Sequence, residues 1–113
     1  MSIATRIPKL LEDLASNLDS AAALVSRSRS AFDSDPAVPL AFEALSNRVG
    51  DLCKQLVAAD RARFADLNWR LAARNRDMVV HHYARINPDQ LWVTVTEDFP
   101  QLRNLVSSAA SES

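Results

Sequence analysis

Ile7-Pro8-Lys9-Leu10-Leu11-Glu12-Asp13-Leu14-Ala15-Ser16-Asn17-Leu18-Asp19-Ser20-Ala21-Ala22-Ala23-Leu24-Val25 is the stretch on which the fold reading turns. With Ile3 in front, the apolar residues Ile7, Leu10, Leu11, Leu14, Leu18, Ala21, Ala22 and Val25 recur at intervals of three and four. That period places them on one side of a helix, and the spacing predicts it over 7–28. Pro8 fits such a helix only in its first turn, where a missing N–H has no intrahelical partner to lose.

Working outward, residues 26–36 are rich in serine, aspartate and proline and read as a connector, pinned to the core by Phe32. Asp35-Pro36 then makes a cap-plus-proline start for a second helix reaching Leu56 to Ala59, with Pro39 leaving its first turn open. Leu40, Ala41, Ala44, Leu45, Val49, Leu52 and Leu56 keep the helical period there, Cys53 reads as core, and Gly50 points to close helix packing. After a polar link through Asp60, Asn68 can cap a third helix from Trp69 to about Tyr83. Asn87-Pro88 starts a fourth, carrying Leu91, Trp92, Val95 and Phe99, which Pro100 should kink or restart before Leu102, Leu105 and Val106. Val93-Thr94-Val95-Thr96 has strand-like residue types but is too short to count as a strand. The expected architecture is an all-α bundle of four or five mostly antiparallel helices, one domain over 1–106 with a flexible polar tail over 107–113.

Composition narrows the function classes. The chain has 113 residues, 48% hydrophobic and 24% charged, which suits one small globular domain. No apolar run approaches the roughly 18 to 20 residues of a membrane span, and the first residues lack a signal peptide's apolar region, so a cytoplasmic location is expected. A single cysteine excludes an internal disulfide and a cysteine-based zinc site. One glycine disfavours phosphate-cradling loops and dinucleotide fingerprints. Net charge is −1, yet Arg61 to Arg85 holds six arginines against Asp66 and Asp77, a local +4 that leaves −5 elsewhere. Such a segment either attracts phosphate or forms a solvated face paired with acidic neighbours.

The third predicted helix holds the anomaly. Trp69, Ala73, Val80 and Tyr83 form a stripe that should face other helices, and the position midway along it is Arg76. A guanidinium there is either a structural ion pair, with Asp51 or Glu43 of the second helix, or a waiting contact for an anionic ligand. Asp77 stands four residues before His81, a spacing at which its carboxylate can fix the imidazole tautomer and raise its basicity. An imidazole so oriented suits general acid/base work at neutral pH. An isolated histidine near a helix end, as His82 is, usually does no more than bond a carbonyl or face water, Tyr83 is by default a core-edge residue, and adjacent histidines without a third ligand make a poor metal site. Trp69 and Trp92 read as packing residues. Five residues of ideal helix turn Arg76 and His81 about 140° apart. Both reach one phosphate only if the helix distorts near Val80 or if two copies share a cleft, and twofold dimers are the commonest oligomers.

Arg76-Asp77-Met78-Val79-Val80-His81-His82-Tyr83 resembles the R-x4-H-x-Y signature of the HepT toxins, members of the HEPN superfamily of all-α ribonucleases. Gly50-Asp51 stands where a Gly-Glu pair is usual, Trp69 precedes the signature, and Asn87-Pro88-Asp89 with Leu91-Trp92 follows it. Glu97-Asp98-Phe99-Pro100-Gln101-Leu102 is similar to the family's Asp-Leu-Pro-x-Leu ending, so the likeness runs over about 7–106. Arg74 offers a second match at R-x6-H, but Arg76 keeps the register to both His81 and Tyr83, which leaves Arg74 as a supporting phosphate contact or a surface charge. The resemblance implies a metal-independent, cofactor-free endoribonuclease acting on tRNA or mRNA as a homodimer. In it Arg76 and His81 are catalytic, and Asp77, Arg74 and His82 stand in support. It further implies a nucleotidyltransferase (MNT) antitoxin that transfers AMP onto Tyr83. A non-catalytic helical subunit that binds RNA or the nucleotidyltransferase is the alternative, because kinship of fold does not establish a reaction.

Overall fold

The computed structural model describes residues 3–73 and 88–112, with side chains from Arg6 onward. Every regular element among them is helical, as the sequence predicts. In chain order these are α1 (Ile3–Val25), α2 (Ser28–Ser34), α3 (Ala37–Ala59), α4 (67–73), α5 (Pro88–Val93), a π-helical turn (Thr94–Asp98) and α6 (Phe99–Ser111).

The stripe on α1 is the stripe that the periodicity marks. Ile7, Leu10, Leu11, Leu14, Leu18 and Ala21 are buried, with Leu14 wholly inaccessible, whereas Ala22 is exposed. The helix itself is shifted, starting at Ile3 rather than Ile7 and ending at Val25 rather than Ser28. Pro8 therefore sits inside it, at the sixth residue, and leaves the carbonyl of Ala4 without its α-helical donor. The predicted connector folds into α2. The chain turns into it through Ser28 at φ 80°, a left-handed conformation that residues with a Cβ avoid. Phe32 is buried there, as expected.

α3 is the central strut and packs chiefly on α1. Asp35 Oδ1 accepts from the Ala37 N–H at 3.0 Å, so the aspartate serves the start of the helix, and Pro39 falls harmlessly in the first turn. The inward face of the first two turns differs from the expected one. Leu40 and Ala44 are exposed, and Val38 and Phe42 are buried in their stead. The reason is tertiary: Phe42 lies 5.8 Å from Phe32 and 6.4 Å from Trp92, in an aromatic cluster that sets the rotation of the helix. Further along, Val49, Gly50, Leu52, Cys53 and Leu56 are buried as predicted, and burial pushes the Cys53 thiol up to about 12.

The C-terminal half runs from α5 through the π turn into α6. The helix restarts at Pro100, as the sequence predicts: the proline lies in the first turn of α6, which follows a π turn closed by the Phe99 N–H on the Thr94 carbonyl. Thr94 and Thr96 hydroxyls donate to the carbonyls of Gln90 and Trp92, four residues back, at 3.0 and 2.7 Å. They supply bonds where the ladder changes register. Leu102, Val106 and Ala109 face the core from α6, which continues to Ser111, so residues assigned from sequence to a polar tail are helical and one of them is buried. No helix among the described residues is long and apolar enough to cross a membrane.

Candidate functional site

Arg74, Arg76, Asp77, His81, His82 and Tyr83, the whole set marked from sequence, lie outside the described residues, as does Asn87. The structure describes the frame on either side of that segment.

On the N-terminal side, Asp60 closes the end of α3 and organises the turn after it. Its Oδ1 accepts from the Arg63 N–H at 3.0 Å and its carbonyl from the Phe64 N–H at 3.1 Å. Phe64 is buried and meets the Trp69 ring edge-on, centroids 5.0 Å apart, so Trp69 is the packing residue that the sequence suggests. The cap of α4 is Asp66 rather than Asn68. Its carboxylate accepts from the Asn68 N–H at 2.8 Å and its carbonyl from the Trp69 N–H at 3.1 Å. Arg63, counted with the basic run, donates instead to the Ala109 carbonyl at 2.7 Å and lies 5.4 Å from the Phe64 centroid. That contact ties the turn to the end of α6 and serves one of its last carbonyls. Leu67 and Leu71, one turn apart on α4, face outward and are 64% and 43% exposed.

On the C-terminal side, α5 opens at Pro88, with Leu91 buried and Trp92 half-buried between Phe32 and Phe42. Arg29 of α2 crosses to this flank and hydrogen-bonds Asp89. Its guanidinium pKa is pushed further up, first by Asp89 and then by Asp33.

The two flanks therefore sit by the two ends of α3, one at the turn after Ala59 and the other at Phe42. Between them α3 carries a polar stripe, Glu43, Asn47, Asp51 and Lys54, with Ser46 and Gly50 along its edge. Asp51, one partner envisaged for Arg76, accepts from Gln55 at 3.0 Å and stands 3.8 Å from Arg48, so its own helix engages it. Glu43, the other, has no ion-pair partner among the described residues, and burial raises its carboxyl pKa. Ser46 Oγ and Asn47 Oδ1 are buried without a hydrogen-bond partner among the described residues. Sequence reading missed this seam, although polar residues at three- and four-residue intervals opposite an apolar stripe were available as its signal.

The sequence pattern of the family described as ribonuclease HepT-like matches residues 14–109, which spans α3, both flanks and the segment between them. The chain belongs to that family. Two relatives agree in kind. A protein of Caldanaerobacter subterraneus subsp. tengcongensis named "Putative RNase" is 28% identical over 75 residues, 66% of this chain and 67% of its own length. "Probable ribonuclease HepT" of Thermococcus cleftensis is 33% identical over 55 residues, 49% of this chain and about half, 50%, of its own. No solved structure matches the chain. In this HepT-like chain the described frame packs Trp69 and Trp92 against other rings, and arginine contacts tie the turn before α4 to α6 and the start of α5 to α2.

Proposed function

We propose that the chain is a metal-independent endoribonuclease toxin, regulated by a nucleotidyltransferase that adenylylates Tyr83. The observation carrying this is the Arg76, His81 and Tyr83 spacing inside the stretch that belongs to the ribonuclease family. In this reaction the ribose 2'-hydroxyl attacks the adjacent phosphorus, the new 2'-O–P bond replaces the P–O bond to the 5'-oxygen, and a 2',3'-cyclic phosphate remains. His81 moves the proton in this reaction, as base for the 2'-hydroxyl, as acid for the 5'-oxygen or as both, a task worth about 10² to 10⁴ in rate. Asp77 orients that imidazole. Arg76 binds the phosphate oxygens and favours the more highly charged transition state, with Arg74 and His82 in support. The nucleophile belongs to the RNA, so the mechanism needs no metal-activated water.

The site is completed at the interface of a homodimer, which lets Arg76 and His81 reach one phosphate although an ideal helix turns them apart. The outward-facing Leu67 and Leu71 on α4 support an apolar contact at this end of the molecule. AMP on Tyr83, two residues from His81, adds a bulky anion that blocks the cleft and competes for Arg76. Such a protein acts in the cytoplasm on tRNA or mRNA.

Purified protein free of its partner should cut RNA in the presence of a chelator, leave cyclic phosphate ends, and lose at least about a hundredfold in rate on His81→Ala. The same preparation, given the cognate nucleotidyltransferase and ATP, should gain one adenylyl mass on Tyr83. Intact tRNA and mRNA after incubation with wild type whose Tyr83 is unmodified would reject catalysis in favour of the binding-subunit reading.

A further inference from the structure

α2 is a helix of seven residues with a single buried residue, and its most elaborate contact is directed at the flank of the proposed catalytic segment. Arg29 Nη2 donates to Asp89 Oδ1 at 2.6 Å, across 60 positions of sequence, and its Nε donates to Asp33 Oδ1 at 2.9 Å. The same guanidinium lies 5.1 Å from the Phe32 ring centroid and 5.7 Å from that of Trp92, and those two rings meet edge-on at 5.4 Å. Two carboxylates and two rings thus define its position, a geometry that the planar guanidinium satisfies and an ammonium does not. The residue immediately before it, Ser28, holds the left-handed backbone conformation that starts α2.

Exposed ion pairs contribute little to stability, and Asp89 is largely exposed. What the cluster does instead is define a place. Asp89 is the second residue of α5, six residues after Tyr83 and eight after His81. We propose that Arg29 is a positioning residue for the ribonuclease reaction: by holding Asp89 and Trp92 it sets where the chain leaves the segment bearing His81 and Tyr83. The inference rests on the proposed function for its chemical meaning. Arg29 touches no reacting group in this scheme, so its loss disturbs the alignment of the imidazole and spares the affinity for RNA.

The test uses full-length Arg29→Ala, Arg29→Lys, Asp89→Asn and the Arg29→Ala/Asp89→Asn double variant. Cleavage of a fluorogenic oligoribonucleotide is read as kcat and KM, and the His81 imidazole resonances are followed by NMR through a pH titration. Arg29→Ala should lower kcat about tenfold with KM within about twofold, since small misplacements of a catalytic group are costly. Asp89→Asn should lower kcat in the same direction, and the loss in the double variant should be smaller than the product of the two single losses, because Arg29 and Asp89 share a contact. Arg29→Lys, which keeps the charge, should remain folded and fall between wild type and Arg29→Ala. Unchanged kcat in folded Arg29→Ala or Arg29→Lys, or losses that multiply in the double variant, would overturn the clamp. Should wild type cut nothing, the ribonuclease reading fails separately, and the clamp is still decided by NMR: moved His81 resonances in Arg29→Ala uphold it and unmoved ones sink it.

Discussion

Along one side of α3, Val38, Phe42, Val49, Cys53 and Leu56 are sealed against the rest of the core; on the neighbouring stripe, Glu43, Ser46 and Asn47 are drawn partly or wholly out of water with little given in return. The first side follows the ordinary logic of folding, apolar surface removed from water and rings meeting edge to face. The second runs against it. A hydroxyl and an amide oxygen without partners among the described residues, beside a carboxyl group whose pKa burial raises, each subtract from stability. One helix thus combines the strongest support of the bundle with its least satisfied polar groups. In proteins such groups are met by water or a bound ion, or mark a functional site. The stripe lies between the two anchored flanks of the segment that carries Arg76 and His81.

Substitutions on the two sides should consequently move stability in opposite directions. The largest effect belongs to the sealed side. Leu56 is fully inaccessible, and Leu56→Ala removes its contacts and leaves a cavity, a loss of about 2–5 kcal/mol. For a chain of this size that lowers Tm by at least about 8 °C in a calorimetric scan. A fall of a degree or two would mean that the core around α3 is loosely packed and the contrast overstated.

Of this contrast, the sealed side was largely legible in the sequence. The α1 stripe has one apolar phase, so its reading survives contact with the structure. The start of α3 offers two phases, because Leu40, Ala41, Phe42, Ala44 and Leu45 place apolar groups almost all round the helix. Choosing between them needs the Phe32 and Trp92 rings, which come from elsewhere in the chain. Asp66 and Asn68 are both competent caps, and only the fold of the turn after Asp60 selects the first. Pro100 announces a disturbed ladder, but its letter does not distinguish a kink from the extra residue of a π turn. Of the candidate catalytic residues, which lie outside the described residues, only a spacing was legible in the sequence. The partners that hold their flanks were not, since an Arg29–Asp89 contact between residues 60 apart leaves no local pattern, and Arg63 looks like any other member of a basic run until its carbonyl acceptor is seen.

A smaller effect of opposite sign is expected on the polar stripe. Ser46 is only 7% exposed and its hydroxyl has no hydrogen-bond partner among the described residues. Ser46→Ala deletes that unsatisfied group for a volume change of a single oxygen, and should stabilise the protein by about 1 kcal/mol. The measurement is the urea midpoint at constant m value, which separates a true gain in stability from a change in compactness. A loss of stability would show that the hydroxyl finds a partner in solution, and the stripe would then be as well satisfied as the sealed side.

The least change, and the most diagnostic, concerns Glu43. Burial raises its carboxyl pKa, and no ion pair among the described residues opposes that shift. In the unfolded chain the group titrates in the usual carboxylate range; in the folded one it titrates higher. Folded protein therefore binds more protons than unfolded between those two values, and stability must fall as pH rises through that window. Below it the carboxyl is neutral in both states and the penalty disappears. Glu43→Gln keeps the shape and removes the charge, so it should raise Tm slightly at pH 7 and leave it unchanged at a pH below the carboxylate range. If Arg76 were instead a structural partner of Glu43, the sign would reverse: the carboxylate would be stabilising at neutral pH, and Glu43→Gln would lower Tm there. Thermal melts of the two proteins across this pH range distinguish a desolvated acid from a salt bridge. They thereby test whether the arginine of the signature is free to bind phosphate.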